Sequence, residues 1–500
     1  MSKTDQSIGQ QQDILIWEGL QTFRDLPDWM TAARDPDRIC AALSQAIPEF
    51  RSGQLILHEC DSSNIRYKAE NWSGFYELTV SKPGESSTST INLEGILSSP
   101  NVNSGRPLLV EHSLGSKDWH AFIPALNLEL WTKKPEAVLS SLAMLTDPEQ
   151  SRQYLMSRIR AGSPAYQDLQ IQASHPKVAR YKPGSRCTIV YHLDYPEGAG
   201  ADVDHQWPEL VVAKTYRKEK GQNAYESMRA FWDTALSSST LVKIAEPLAY
   251  DAEMKVMIQG PIRQEMTLKE MTVMAVKAGT AEASDELTEA MRKTARGLAE
   301  LHKSGTELNT LYGWEDDEEQ VRESIQDLSV SVPQLASAGL PFVERLNSLE
   351  ASSQPDPRVP SHGTFRPAQV LMYQGEIGFI DFDSCCKAEP AKDLGLFLCA
   401  FLRAGMATVN FDDIEVASEP LDDAARLARF ERLIDVSEKF LEEYERCTQP
   451  VNRQRVALFE ALELFILILH AWTKIKVREL DDIMFVLEHF LPTHKILNLK

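Results

Sequence analysis

The segment Ser361-His362-Gly363-Thr364-Phe365-Arg366-Pro367-Ala368-Gln369-Val370-Leu371 is followed, after a short interval, by Ile380-Asp381-Phe382-Asp383. Thr364 supplies a hydroxyl, which donates and accepts hydrogen bonds but is not a base near neutral pH and brings no charge to a cation. Gln369 offers an amide oxygen on a long arm. Asp381 and Asp383 stand two residues apart, and Asp383 is either a second functional carboxylate or the cap of the turn after it.

In this order the residues resemble the catalytic loop and metal-binding strand of the aminoglycoside phosphotransferase and choline kinase superfamily. That loop reads roughly His-Gly-Asp-x-His-x-x-Asn and is followed by Ile-Asp-Phe/Trp. In the family the loop Asp orients the substrate hydroxyl and accepts its proton, the Asn holds one Mg²⁺, and the later Asp holds the metals against the nucleotide phosphates. The resemblance therefore assigns His362-Gly363 to the loop, Thr364 to the place of the base and Arg366 to the place of the usual His, beside the phosphate path. It gives Gln369 and Asp381 to the metal; maltokinase-like members also carry Gln at that position. Asp383 is the substitute carboxylate if one is needed. General base catalysis contributes ~10²–10⁴-fold, whereas phosphoryl transfer rests mostly on positioning and charge neutralisation. Loss of the base thus implies a slow enzyme or a non-enzyme.

Upstream, Val178-Ala179-Arg180-Tyr181-Lys182 and Cys187-Thr188-Ile189-Val190-Tyr191-His192-Leu193 predict a hairpin around Pro183-Gly184-Ser185-Arg186. Its turn leaves the backbone N–H groups of Gly184 and Ser185 free to meet phosphate. Leu210-Val211-Val212-Ala213-Lys214 resembles the family's third strand, which makes Lys214 the phosphate-contacting lysine and Glu226, in the following helix, its partner. By the same resemblance adenine is expected near the hinge Gly260-Pro261. The helix from Arg292 to Ser304, His302 included, is structural, and Glu389-Pro390-Ala391-Lys392-Asp393-Leu394-Gly395 resembles the family's Asp-Pro-Ala-x-Asp-Leu-Ala. There Asp393 would start a helix and bond into the catalytic loop.

The fold implied is α+β, a bilobal protein kinase-like fold with an appended N-terminal α+β domain. Residues 1–160 form that domain, 165–260 the smaller lobe and 261–500 the helical lobe. In the N-terminal part, residues 1 to about 12 read as a flexible terminus and Ile14 to Phe50 as two helices. Gln54–His58, Phe75–Val80 and Thr90–Gly95 read as strands of an antiparallel meander that needs a covering layer. Residues 135–160 return to a helical pattern, and no catalytic constellation stands in residues 1–160.

Composition excludes several classes. At 500 residues the chain is too long for one ordinary core and divides into two or three domains. The apolar run Leu464–Leu469 is too short to span a membrane and reads as a buried helix. With no apolar segment at the N-terminus, the expected compartment is the cytoplasm. Seven cysteines without a Cys-x-x-Cys pair argue against a disulfide framework or zinc site, and the adjacent Cys385 and Cys386 read as packing residues or as a redox pair. A net charge of −21 disfavours nucleic acid or an anionic membrane as partner and is compatible with a cationic substrate. The acidic run Phe411-Asp412-Asp413-Ile414-Glu415 either attracts such a substrate or is simply solvated.

Two functions follow from the resemblance. One is ATP- and Mg²⁺-dependent phosphorylation of a hydroxyl on a small molecule such as a sugar, aminoglycoside or amino alcohol. The other is a pseudokinase, a nucleotide-binding scaffold whose residues 1–160 engage a protein partner.

Overall fold

Buried and exposed side chains alternate along Asn71–Ser81, with Trp72, Tyr76, Leu78 and Val80 pointing inward. This period of two fixes a half-buried antiparallel strand. In the computed structural model, which describes residues 3–134, 141–182, 186–198, 207–216, 220–407 and 422–499, it is the second strand of a six-stranded sheet. The spatial order is Ile56–Lys68, Asn71–Ser81, Ser89–Leu97, Leu128–Thr132, His120–Ile123, Leu109–Glu111, antiparallel throughout. The three expected strands are present, and the first runs on well past His58. The helix Pro36–Ala46 covers the sheet with Ile39, Leu43 and Ala46, and Tyr76 donates its hydroxyl to the Ala33 carbonyl at 3.2 Å.

Two expectations for the N-terminus are corrected. The chain is helical from Lys3 to Gln21, because this helix is docked rather than free: the Asp13 carboxylate pairs with Arg345 and accepts the Asn498 N–H. The stretch to Phe50 holds not two helices but this one and three short ones, Asp28–Ala32, Pro36–Ala46 and Pro48–Arg51, each with a proline at or beside its start.

The smaller lobe is a five-stranded antiparallel sheet in the order Pro247–Asp251, Val256–Gln259, Leu210–Thr215, Arg186–Asp194, Ala173–Lys182. The helix Pro148–Gly162 lies on it, with Gly162 so near the Leu248 carbonyl that a Cβ would stand 2.3 Å from the oxygen. Of the expected helical region 135–160, residues 135–140 lie outside the described residues. Turn residues Gly184 and Ser185 and the acidic run 411–415 do so as well.

The larger lobe is helical. Its centre is the helix Arg453–Lys474, buried as the run Leu464–Leu469 led one to expect, although, against the reading of that run as too short, the whole helix is long and apolar enough to cross a membrane. Gly395 lets Pro390–Met406 approach it until a Cβ would be 2.7 Å from that of Phe459. Phe365, Phe397 and Phe440 stack in series at 5.0 and 4.7 Å, worth about 0.5–1.5 kcal/mol per pair beyond their buried area. Two indoles fasten the N-terminal part to this lobe: Trp72 Nε1, from the sheet, donates to the Trp472 carbonyl at 3.0 Å, and Trp472 Nε1 donates to that of Phe23, after the first helix, at 2.9 Å.

Candidate active site

The loop after the short strand Val359–Ser361 alternates anchors with exposed polar groups. His362 and Phe365 are fully buried, Thr364 is half-buried and Arg366 exposed. At the next strand end Phe382 is buried while Asp381 and Asp383 on either side face the cleft. The His362 ring packs on Phe365 and Phe382 at 5.4 and 5.1 Å and donates from Nε2 to the Ile380 carbonyl at 3.0 Å, tying the loop to that strand end. Gly363 adopts φ +80, and a Cβ there would lie 2.1 Å from the Ser384 carbonyl oxygen, so both conformation and space demand glycine.

Asp393 fixes the same loop from below. Its carboxylate accepts the backbone N–H of His362 at 2.6 Å and of Gly363 at 2.8 Å, and meets His302 Nε2 at 3.1 Å. Burial raises its carboxyl, but the His302 bond and the charges of His302 and His362 outweigh that and hold it below the usual range. The bonds go to the loop and not to its own helix, whose N-cap is Glu389. His302, a packing residue in the sequence reading, thereby orients Asp393, and Tyr444 closes the chain with its hydroxyl 2.7 Å from His302 Nδ1.

Lys214 extends from the central strand of the smaller lobe to Asp381 Oδ1 at 3.3 Å, and Gln369 Nε2 donates to Asp381 Oδ2 at 3.3 Å. Partial burial raises the Asp381 carboxyl, but Lys214, His362 and Gln369 together hold it below the ordinary range. Asp381 has φ +75, a conformation costing of order 1–3 kcal/mol that surrounding structure must enforce. Asp383 accepts the Tyr216 hydroxyl at 2.9 Å. Burial pushes the Asp383 carboxyl up, with the Asp381 charge adding to the rise against Lys214, Tyr216 and Arg186. Tyr216 itself is pushed above its usual range by burial and by Asp383.

The donor set fits a divalent cation. Gln369 Oε1 is buried and has no hydrogen-bond partner, a cost of about 1–3 kcal/mol that a cation would relieve. Among the described residues no group of three or more His, Cys, Asp or Glu could hold a metal. Mg²⁺ does not require one: it takes one or two carboxylates and completes its shell with water and phosphate oxygens.

Of the expected site residues, the structure brings Lys214, Thr364, Arg366, Gln369, Asp381 and Asp383 to one cleft, with His362 beneath. It does not bring Glu226 to Lys214. The helix Lys220–Trp232 buries Gly221, Ala224, Met228 and Phe231, which leaves Glu226 exposed on the other face, accepting from Gln222 at 2.8 Å. The partner of Lys214 is Asp381. Cys385 and Cys386 are buried, and burial pushes their thiols up, Cys386 to about 12, so packing rather than redox chemistry is their role. The sequence reading missed Tyr216, although it follows Lys214 by two places and so shares its face of the strand. It also missed Arg66, Lys182, Arg186 and Lys220, which line the same cleft of about 590 Å³.

Several solved structures resemble the chain. The choline kinase of Cryptosporidium parvum Iowa II aligns at 14% identity and a TM-score of 0.43, over 69% of this chain and 98% of that one. A choline/ethanolamine kinase family protein from Mesorhizobium loti aligns at 12% and 0.43, over 70% and 96%. A glucosamine kinase in complex with glucosamine, ADP and inorganic phosphate aligns at 14% and 0.43, over 91% and 98%. A comparison with curated proteins finds no match. Residues 209–446, which hold Lys214, the loop 361–371 and Asp381, match the model of the phosphotransferase enzyme family. Over these residues the chain is similar to that phosphotransferase enzyme family.

Proposed function

We propose that the chain is a small-molecule phosphotransferase that uses ATP and Mg²⁺ to phosphorylate a hydroxyl. The observation that carries this is the meeting of Lys214, Asp381 and Gln369, with one amide oxygen of Gln369 buried and unpaired beside a carboxylate held ionised. Lys214 holds phosphate oxygens as a point charge, and Asp381 and Gln369 Oε1 are the metal ligands. The metal, when bound, neutralises phosphate charge during transfer. Thr364 orients the acceptor hydroxyl by hydrogen bonding, and Arg366 adds a cation beside the transferring group. Asp383 takes the acceptor proton in place of the absent loop acid: its raised pKa makes it a better base than an ordinary aspartate, and Tyr216 keeps its carboxylate oriented. Turnover of ATP, followed with pools of sugars, aminoglycosides and amino alcohols, tests this. A phosphorylated product that disappears in Asp381→Ala supports it, and no product above background with Mg²⁺ or Mn²⁺ counts against it.

One observation favours a second reading, a pseudokinase that binds nucleotide as a scaffold: the loop position where the family carries its acid holds a hydroxyl. The N-terminal sheet would then engage a protein partner. If the native chain binds nucleotide without turnover and Thr364→Asp creates activity, this reading prevails.

A further inference from the structure

The chain carries 73 acidic against 52 basic side chains, yet its central cleft has the opposite sign. Arg66, Lys182, Arg186, Lys220 and Arg366 line it against two carboxylates, Asp381 and Asp383. None of the five cations is in an ion pair among the described residues, where Lys214 alone answers Asp381. Burial and the charges of Arg180, Arg186, Arg66 and Lys474 all work to lower the Lys182 pKa, so the cations crowd one another. Two like charges ~7 Å apart repel by ~0.6 kcal/mol even in bulk water. Such a cluster is stabilised by an anion.

The five come from two sides. Lys182 and Arg186 face each other in strand register, on the sheet that carries Lys214 at its centre, and Lys220 opens the helix after that strand. They stand on the nucleotide side. Arg366 stands on the other side, two residues after Thr364, and Arg66 arrives from the N-terminal sheet. The placement of Arg66 is built in. A register shift between Ser63 and Arg66, with Asn64 at φ 52, interrupts the strand Ile56–Lys68 directly before it. Such bulges bend a strand and re-aim the next side chain. Ile65 is buried against Gly74, where a Cβ would lie 2.8 Å from Ile65 Cγ1. Tyr67 donates to the Asp327 carbonyl of the larger lobe and packs on Trp72 at 4.6 Å. Arg66 is thus held between two anchored neighbours.

We propose that Arg66, with Arg366, binds an anionic group of the acceptor, so that the acceptor is a phosphorylated or carboxylate-bearing small molecule and the N-terminal domain completes its site. That the ligand is an acceptor rests on the phosphotransferase reading; that it is an anion does not. This reverses the preference that the net charge alone allowed, a cationic substrate.

Calorimetric titration of the full chain, with and without saturating ADP and Mg²⁺, tests it. The probes are glucose 6-phosphate, gluconate and, as a cationic control, glucosamine. At least one of the two anions binds and glucosamine does not. Near-molar salt weakens anion binding about tenfold relative to low salt. Arg66→Ala weakens it about tenfold, as loss of one charged hydrogen bond does, and Arg66→Lys by less. ADP affinity stays the same in both variants. Binding of phosphate ester only, or of carboxylate only, names the anion. Failure of both anions to bind, tighter binding of glucosamine, or an equal loss of ADP and anion affinity in Arg66→Ala overturns the proposal. If ADP does not bind but an anion does, with the Arg66 dependence intact, the anion site stands and the phosphotransferase reading falls.

Discussion

Lys214 and Asp381 meet at 3.3 Å, joining the centre of the smaller lobe's sheet to the strand end of the larger lobe. The contact lies beside the cleft that Thr364, Gln369 and Asp383 line. Lys214→Ala removes one charge-assisted contact, and ADP affinity in the presence of Mg²⁺ is expected to fall about 10–100-fold. Lys214→Arg restores the charge but not the ammonium geometry, and recovers only part of the affinity. Equal ADP affinity in Lys214→Ala and the native chain would remove this lysine from the site.

Gly363 predicts a folding defect localised to the loop. Gly363→Ala forces a side chain into the left-handed region and against the Ser384 carbonyl, and is expected to cost about 3 kcal/mol in denaturant unfolding. Ala at Gly84, which also has positive φ but has open space around it, costs only the conformational part, about 1–2 kcal/mol.

Asp393 predicts a pH dependence. Its folded pKa lies below its ordinary value of 3.8, so it adds stability that is complete above the ordinary carboxylate range and fades as pH falls through the depressed value. Asp393→Asn is expected to cost about 3 kcal/mol at neutral pH, because two loop N–H groups and His302 lose an ionised partner. The difference between variant and native chain then narrows below about pH 4. A constant difference down to strong acid would show that Asp393 is not ionised in the fold.

Much of this was legible in the sequence and some was not, for definable reasons. Lys214, Gln369 and Asp381 are each fixed by local backbone, a strand face or a strand end, so their spacing survives in the chain as a readable order. Glu226 was misassigned because helical spacing gives a face only when the buried positions are known, and Ala224 and Met228 turn it outward. Arg66 was beyond local reading altogether. Its place in the cleft depends on a bulge and on two tryptophans meeting across domains, Trp72 and Trp472, none of which leaves a short-range pattern.

Asp383 predicts the shape of a rate profile. If it is the base, the rate rises with pH as its carboxylate forms, and the midpoint lies above that of an unperturbed aspartate because burial raises it. Asp383→Asn should remove that limb together with ~10²–10⁴-fold of the rate. Loss of the limb in Asp383→Asn with the rate kept would assign the proton to solvent.

The central claim is a working nucleotide and metal site built on Asp381 and Gln369. Thermal unfolding of the full chain with ATP alone, Mg²⁺ alone and both, repeated on Asp381→Ala, tests it most directly. Ligand at a hundred times its dissociation constant stabilises the folded form by about 2.7 kcal/mol, a shift of a few degrees. The expected result is a shift that needs both ligands and vanishes in the variant. No shift under any condition, or an equal shift in Asp381→Ala, would contradict it.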